Sequence, residues 1–283
     1  MFIFKTIGDL QRYLTQQRVQ NHAIGFVPTM GALHAGHISL ITHSRRENEV
    51  TVCSIFVNPT QFNDIADLQK YPRTTADDVA LLAEAGCEAL FLPEVDEIYP
   101  NGMADWHNPY TFGALTQVME GAHRPGHFEG MVQVVHRLLD IVAPHRLYMG
   151  QKDFQQQCIV QSMLQQSGIA TRLVCCPIMR EKDGLAMSSR NIRLSVADRT
   201  HAPVIYKTLQ QAALDAANYA PQVVRSRALH ALQALPNSTV DYFEVVAADS
   251  LLPVDDWQTT ANIVACTTVR LGGVRLLDNL FLR

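Results

Sequence analysis

Short apolar runs alternate with amphipathic segments through the first two-thirds of this 283-residue chain. Residues 50–57 form an apolar run rich in β-branched side chains, which predicts a strand. Residues 128–142 repeat apolar side chains at the i, i+3, i+4, i+7 spacing of a helix with one buried face. This alternation predicts a parallel sheet covered by helices on both faces. The predicted strands are 23–28, 50–57, 89–92, 147–149 and 171–176, and the predicted helices are 36–46, 74–85, 128–142 and 154–167.

A different pattern begins near Pro177, where a loop rich in charge and serine leads into helical segments. The first of these contains Pro203, which is expected to kink or delay it. Helices followed by strands that are joined by turns predict a smaller α+β domain, and we place the domain boundary after residue 178. The predicted helices are 196–217 and 222–234, and the predicted strands are 240–247, 261–269 and 274–277, the last two joined by Gly272-Gly273.

Composition and charge narrow the classes of partner. The formal net charge of −4 gives no basic excess for a general nucleic-acid surface. No apolar run approaches the roughly 20 residues that span a bilayer, and the first ten residues do not have the pattern of a signal peptide. The six cysteines form no C-x-x-C pair, so we expect small buried side chains in a reducing cytoplasm.

The segment Pro28-Thr-Met-Gly-Ala-Leu-His-Ala-Gly-His37 follows a predicted strand and opens a predicted helix. Unpaired N–H groups and the positive end of the helix dipole are expected there, which favours an anionic ligand. His34 and His37 lie at this helix start, and we expect both to contact a phosphate, with His37 nearest the reacting group. Metal ligation by the pair is less favoured because no acidic third ligand is nearby in the sequence.

Two further segments have side chains suited to phosphates. Lys152 follows a predicted strand at the edge where open α/β sheets bind ligands, and Asp153 next to it suits either a helix cap or a ribose hydroxyl. The run Ser188-Ser189-Arg190 places two hydroxyls beside a guanidinium, which is able to bind phosphate oxygens in a bidentate manner.

Three weaker signals remain. Asn58 and Gln61 are amides beside Phe62, a combination that suits a small hydroxylated acid, although a turn with exposed polar groups explains them as well. Residues 120–128 form a basic, glycine-punctuated segment that fits a mobile loop near an anion. Asp77 and Asp78 could hold Mg²⁺, yet acidic residues are ordinary in the first turn of a helix, here one that Thr74 is expected to cap.

Seven motifs in this order closely resemble the pantothenate synthetase (pantoate–β-alanine ligase) family of the nucleotidyltransferase superfamily. They are P-T-M-G-A-L-H-A-G-H at 28–37, F-V-N-P-T-Q-F at 56–62, Y-P-R-T at 71–74, E-I-Y-P-N-G at 97–102, E-G-A-H-R-P-G-H-F at 120–128, G-Q-K-D-F-Q-Q at 150–156 and D-G-L-A-M-S-S-R-N at 183–191. The resemblance implies ATP-dependent condensation of pantoate with β-alanine through pantoyl adenylate, with Mg²⁺ as cofactor. It also implies a cytoplasmic homodimer, with a Rossmann-like nucleotide- and pantoate-binding domain over 1–178 and a C-terminal α+β lid over 179–283.

The same resemblance implies a role for each matching residue. His34, His37, Lys152, Ser188, Ser189 and Arg190 match catalytic positions, His37 being the usual proton donor. Gln61, Gln156 and Asn58 match the substrate site, Asp77 and Asp78 acidic positions near the magnesium, and Arg124 a mobile-loop residue. The ATP-binding positions are Met30, Gly31, Ala32, Leu33, His34, Ala35, Gly36, His37, Gly150, Gln151, Lys152, Asp153, Met179, Met187, Ser188, Ser189 and Arg190. Gln151 stands where Glu is common in the family.

Two alternative functions stay open at this point. One is an adenylyltransferase that joins AMP to a phosphorylated acceptor, which would need a site for a second anion. The other is a non-catalytic nucleotide- or RNA-binding relative of the aminoacyl-tRNA synthetases, against which the acidic balance weighs.

Overall fold

The computed structural model describes residues 1–62 and 68–283 and contains two sheets. The first has six parallel strands in the order β1-β4-β3-β2-β5-β6, and the second has three antiparallel strands in the order β7-β8-β9. The strands are β1 Phe2–Phe4, β2 Ile24–Thr29, β3 Val50–Ile55, β4 Ala89–Phe91, β5 Arg146–Gly150, β6 Arg172–Cys176, β7 Ser238–Ala247, β8 Ile263–Leu271 and β9 Val274–Phe281.

The α-helices that the structure describes lie between β1 and β7 in the chain. They are α1 Ile7–Val19, α2 Ala35–Glu47, α3 Thr75–Glu84, α4 Val95–Ile98, α5 Glu120–His123, α6 His127–Val142, α7 Phe154–Ser167, α8 Val196–His201, α9 Val204–Asp215 and α10 Pro221–Gln233. The predicted parallel sheet with helices on both faces and the smaller α+β region are therefore confirmed, with most bounds shifted by one to four residues. None of these helices is both long and apolar enough to cross a membrane.

The parallel sheet is buried on both faces, as its nearly continuous apolar runs require. Val27 and Cys53 lie on one face and pack with Leu40 of α2 and Leu82 of α3. On the opposite face α6 contacts β2, and α1 packs against α6. All the parallel strands end at one edge, and the predicted site segments follow β2, β3 and β5 directly there.

No element is predicted for residues 1–22, where the structure has β1 and α1. The strand β1 is short and exposed at the sheet edge, and α1 buries only Leu10 and Leu14 completely. Periodicity is weak in segments with so few buried side chains, which is why the pattern is not visible there.

The predicted single helix over 196–217 is wrong, because the structure has two helices, α8 and α9. Pro203 stands immediately before α9, as its missing N–H and fixed φ favour at a helix start. The turn Gly272-Gly273 joins β8 to β9 as predicted, with φ of 56° and 78°.

The chain divides into two compact units. The first unit comprises Met1–Phe112, Arg124–Gly150 and Ile159–Pro177; the second comprises Gly113–His123, Gln151–Cys158 and Ile178–Arg283. The division into functional domains at residue 178 stays a prediction.

The cysteines are free thiols, as expected, and most of them are buried. Burial raises the pKa of Cys87 to about 12, which keeps that thiol protonated and unreactive. Cys175 is an exception because it is exposed.

Candidate active site

The segment 30–37, in the first unit, leaves β2 through a turn with left-handed backbone. Gly31 has a φ of 81° and Ala32 a φ of 49°, a conformation that is uncommon for alanine. The buried carboxylate of Asp78 holds this turn, accepting the N–H of Ala32 at 3.0 Å and that of Leu33 at 2.7 Å. Asp78 therefore fixes the path of the chain into α2.

His34 and His37 cap the start of α2 reciprocally. Nδ1 of His34 accepts the N–H of Gly36 at 3.1 Å, and Nδ1 of His37 accepts the N–H of His34 at 3.3 Å. The ring centroids lie 4.1 Å apart. A ring nitrogen that accepts an N–H carries no proton itself, so this hydrogen bonding assigns the neutral Nε2–H tautomer to both rings. Each Nε2–H is then a donor at the positive end of a helix of 13 residues.

The sequence predicts unpaired backbone N–H groups at this helix start, and for most of the segment this prediction is wrong. The N–H of Gly31 donates to Thr29 Oγ1, and the next two donate to Asp78. Those of His34 and Gly36 donate to imidazoles. The protein itself thus occupies these donors, and an anion bound here is expected to meet imidazole N–H groups instead.

The side chain of Gln61 is held at both ends in the 3₁₀ turn Pro59–Gln61. Its Nε2 donates to the sulfur of Met30 at 3.0 Å, and its Oε1 accepts from Asn58 Nδ2 at 3.3 Å. Two predicted site segments, 30–37 and the loop after β3, are therefore in direct contact within the first unit.

The contact of Asn58 with substrate stays a prediction, and the structure shows that this residue is only 1% exposed. Its amide donates to Gly130 O at 3.0 Å, and its carbonyl accepts the hydroxyl of Tyr99 at 2.8 Å. An amide satisfied in this way positions the 59–61 turn. We therefore interpret Asn58 as a positioning residue for Gln61.

Helix α6 supports the same turn through two residues near its start. Buried His127 contacts the carbonyl oxygen of Gln61 through Nδ1 at 2.8 Å, and its Nε2 lies 3.0 Å from Arg124. A Cβ on Gly130 would collide with the carbonyl oxygen of Thr60, so only glycine lets the helix come this close. Sequence reasoning missed Gly130. It named Tyr99 and His127 only as parts of quoted motifs.

Asp77 and Asp78 differ in their surroundings although they are adjacent in the sequence. Asp77 is exposed, whereas Asp78 is 1% exposed. Besides the two backbone N–H groups, Asp78 accepts the hydroxyl of Thr74 at 3.2 Å. Thr74 is the N-cap residue of α3, as the sequence suggested, but its hydroxyl donates to Asp78 and caps no backbone N–H of the helix start.

A cleft of about 370 Å³ lies in the first unit at the carboxyl ends of β2, β3 and β4. Met30, Gly31 and Asp78 line it, together with Arg73 and Glu94. Open α/β sheets bind ligands at this edge, so the position of the cleft agrees with the predicted site.

In the second unit, the turn Gln151–Asp153 precedes α7. The ammonium group of Lys152 lies 3.8 Å from the carboxylate of Asp153, and their side chains are 20% and 54% exposed. Lys152 and Ser188 line a common small cavity of about 10 Å³. Two predicted phosphate-binding groups from distant parts of the sequence are thereby brought together.

The segment 179–187 folds into a short hairpin. The N–H of Met187 donates to Met179 O at 2.9 Å, which pairs the predicted adenine contact with the first residue of the predicted phosphate clamp. Gly184, with a φ of 95°, makes the turn and lies against the ring of Tyr206. Ser188 then accepts the N–H of Arg190 at 3.3 Å and caps the 3₁₀ turn Ser189–Arg193.

The predicted residues are thus divided between the units. The first unit contains Met30 to His37, Asn58, Gln61, Asp77, Asp78, Arg124 and Gly150, and the second contains Gln151, Lys152, Asp153, Gln156, Met179, Met187, Ser188, Ser189 and Arg190. No group of three or more His, Cys, Asp or Glu side chains among residues 1–62 and 68–283 could hold a metal ion.

A family model described as pantoate–beta-alanine ligase matches residues 2–281. The chain belongs to the pantoate–β-alanine ligase family. Pantothenate synthetases of Porphyromonas gingivalis and Bacteroides fragilis are each 47% identical to it over 280 residues, covering 99% of this chain and 99% and 98% of theirs. Because the members of this family are enzymes, the chain is an enzyme. The two alternative functions, a different adenylyltransferase and a non-catalytic binding protein, are therefore excluded.

Solved structures of the pantoate–β-alanine ligase family agree with this fold. Pantothenate synthetase from Thermus thermophilus has a TM-score of 0.93 and 41% identity, covering 100% of this chain and 99% of that one. A pantoate–β-alanine ligase from Francisella tularensis, solved as a complex with beta-gamma ATP and β-alanine, has a TM-score of 0.82 and 35% identity, covering 100% and 98%.

Proposed function

We propose that this enzyme condenses pantoate with β-alanine in two steps, forming pantoyl adenylate and pyrophosphate from ATP and then releasing AMP as the amine attacks. Family membership supports the overall reaction, and the complex of the Francisella relative with beta-gamma ATP and β-alanine supports two of the three substrates. Adenylation converts an unreactive carboxylate into an acyl group with a good leaving group.

The capping pair His34 and His37 is the observation that carries the proposal. Both Nδ1 atoms accept backbone N–H groups, so both Nε2–H groups are held as donors at the start of α2. Such fixed donors stabilise negative charge that develops on a phosphoryl group, with no reorganisation during the reaction. We assign the donor nearest the reacting phosphate to His37.

The second unit supplies the other proposed ATP contacts. Lys152 would bind the phosphates as a point charge and Asp153 the ribose, while the backbone of Met179 would contact adenine. The residues from Met187 to Arg190 would form the second phosphate contact, supported by the hairpin that pairs Met187 with Met179.

Pantoate is proposed to bind through Gln61 and Gln156. The Gln61 amide is fixed by Met30 and Asn58, so it would offer a defined orientation to the substrate. The family's lid role for 179–283, the homodimer and the cytoplasmic location stay predictions.

The acidic pair does not fit a magnesium site that the protein builds by itself. Both oxygens of Asp78 already accept hydrogen bonds, and only Asp77 is exposed. Mg²⁺ is usually bound through one or two carboxylates together with substrate phosphates. We therefore propose that Mg²⁺ arrives with ATP, and no step above depends on a protein-held metal.

The test is exchange of labelled pyrophosphate into ATP by the purified protein with Mg²⁺. We expect exchange that requires pantoate and does not require β-alanine. His37→Ala should lower it about 100-fold, the usual cost of removing one fixed donor to developing negative charge, whereas His43→Ala on the same helix should leave it unchanged. Exchange without pantoate would overturn the adenylate mechanism.

A further inference from the structure

The adjacent residues Asp278 and Asn279 are buried polar groups within β9, 4% and 2% exposed. Successive residues of a strand project to opposite faces of a sheet, so one dipeptide can hold two different segments. Neither residue belongs to the predicted substrate contacts. Apart from the backbone pairing of β9 with β8, the hydrogen bonds given for their side chains lead to the two nucleotide-binding segments of the second unit or to each other.

The Asn279 side chain holds the turn that carries Lys152. Its Nδ2 donates to the carbonyl oxygens of Gln151 at 2.9 Å and Lys152 at 3.1 Å. Its Oδ1 accepts Nε2 of Gln151 at 3.0 Å. Two hydrogen bonds from one buried amide therefore fix the backbone from which the lysine side chain extends, and a third holds the side chain of Gln151.

Asp278 holds the other segment. Its carboxylate accepts both terminal nitrogens of Arg180, at 2.6 and 2.9 Å. The same guanidinium donates to Gly184 O at 3.1 Å and lies 3.6 Å from the ring centroid of Tyr206. The hairpin that contains Met179 and Met187 is thus fixed to β9.

We propose that Asn279 is a positioning residue that sets the place of the Lys152 ammonium group, while Asp278 next to it holds the facing hairpin. Asp278 lines the same small cavity as Lys152 and Ser188, so the dipeptide reaches the point where the two segments meet. The inference rests on the proposed role of Lys152 on the ATP phosphates.

The physical reason is the flexibility of lysine. Its charge is carried on a four-carbon stem, and the geometry of the ammonium group depends on where that stem begins. A misplacement of about 1 Å can cost a catalytic group about 100-fold in rate. A residue that fixes the stem therefore affects catalysis without contacting substrate.

The experiment is a double-mutant cycle on pantoate-dependent pyrophosphate exchange in the full-length protein. Asn279→Leu has a similar shape and makes none of the three hydrogen bonds. We expect it to lower kcat for exchange about tenfold or more, with the KM for pantoate within about twofold. The double variant with Lys152→Ala should be no slower than Lys152→Ala alone, because Asn279 acts through that lysine.

Ser238→Ala is the matched control. Ser238 also joins a strand of the same sheet to two backbone carbonyls, those of Leu235 at 2.8 Å and Leu232 at 3.3 Å, away from both nucleotide segments. The variant Ser238→Ala should lower the melting temperature and leave pyrophosphate exchange unchanged. Gln151→Met keeps the bonds to both carbonyls and should lower kcat about twofold to threefold, which tests the proposal if Asn279→Leu fails to fold.

Effects of Asn279→Leu and Lys152→Ala that multiply in the double variant would overturn the proposal, as would unchanged exchange in Asn279→Leu. Absence of pantoate-dependent exchange in the wild type would instead contradict the proposed function. In that case hydrogen–deuterium exchange over residues 150–154 still tests the anchor. Asn279→Leu should accelerate it and Ser238→Ala should not, and unchanged protection in Asn279→Leu would overturn the positioning role.

Discussion

The two units hold their proposed ATP-binding segments in opposite ways. In the first unit, acceptors bind backbone N–H groups of the segment 30–37, through the Asp78 carboxylate and the two imidazoles. In the second unit, donors bind backbone carbonyls, through the amide of Asn279 and the guanidinium of Arg180. In the first arrangement the proposed phosphate contacts, His34 and His37, are themselves among the supporting acceptors, whereas in the second the proposed contacts are Lys152 and the start of the 3₁₀ turn at Ser189.

The difference lies in what becomes of the backbone N–H groups. In the first unit most of those in the segment 30–37 donate to the protein itself, so the proposed phosphate site would depend on the imidazoles instead. In the second unit, support and proposed contact are more separate, since Asp278 and Asn279 lie on β9 and the proposed contacts lie on two other segments.

The largest expected effect is that of Lys152→Ala. We expect pantoate-dependent exchange to fall by about 100-fold to 1000-fold with the KM for pantoate little changed, because attraction to the phosphates should strengthen in the transition state. Lys182→Ala, in the exposed turn of the neighbouring hairpin, is the control. Equal losses in kcat and in pantoate affinity would show that Lys152 contributes only to ground-state binding.

The second unit also contains a buried ion pair. Its loss should cost nearly as much in unfolding free energy as the loss of Lys152 costs in activation free energy. Glu120 accepts both terminal nitrogens of Arg275 and the hydroxyls of Tyr242 and Thr268. Burial would raise the pKa of Glu120, but Arg275 and the two hydroxyls outweigh it, so the pKa lies below its ordinary value. We expect Glu120→Gln to lower the free energy of unfolding by about 3 kcal/mol at pH 7.

The lowered pKa fixes the sign of the pH dependence. The stabilisation from Glu120 is complete above its unfolded-state pKa of about 4.3 and is lost as the pH falls through the lower folded-state value. Urea unfolding between pH 3 and 7 should therefore show a steeper loss of stability below about pH 4 in the wild type than in Glu120→Gln. Parallel curves would show that the pair does not contribute to acid sensitivity.

The sequence predicts what depends on local pattern. Apolar runs such as 171–176 give the strands, and Pro203 marks the point where one predicted helix becomes two. The sequence also indicates His34, His37 and Lys152 as candidate contacts, because they follow strands at the edge where parallel sheets bind ligands.

The supporting residues could not be predicted in the same way. Asp78 is 46 residues from Ala32, and Asn279 is 128 residues from Gln151. Their partners are backbone atoms, which every residue has, so no side-chain pairing in the sequence indicates them. Asp78 was consequently interpreted as a metal ligand, since an acidic residue in the first turn of a helix suits several roles.

The next prediction separates the two adjacent aspartates. Asp78→Asn replaces one acceptor oxygen with a donor that faces a backbone N–H, so we expect a loss of about 1–3 kcal/mol in unfolding free energy and a clear fall in exchange. Asp77→Asn should leave stability unchanged, because that side chain is exposed. Urea unfolding and exchange assays measured side by side at several Mg²⁺ concentrations distinguish the roles. A higher Mg²⁺ requirement in Asp77→Asn would make Asp77 a metal contact, whereas unchanged stability in Asp78→Asn would contradict the turn-holding role.

The smallest expected effect tests whether the first unit depends on close backbone approach. Gly130→Ala would place a methyl group 2.2 Å from the carbonyl oxygen of Thr60, so α6 and the 59–61 turn must separate by about 1 Å. We expect a cost of about 1–2 kcal/mol in stability, and a higher KM for pantoate because Gln61 moves with the turn.

Gly8→Ala is the control. Residue 8 lies in the first turn of α1, where the nearest atom to an added Cβ is the end of the Arg12 side chain at 4.0 Å. Helix propensity predicts that this variant is neutral or slightly more stable. If Gly130→Ala lost stability without any change in the KM for pantoate, the position of Gln61 would not depend on α6, and the first unit, like the second, would hold its contacts by hydrogen bonds alone.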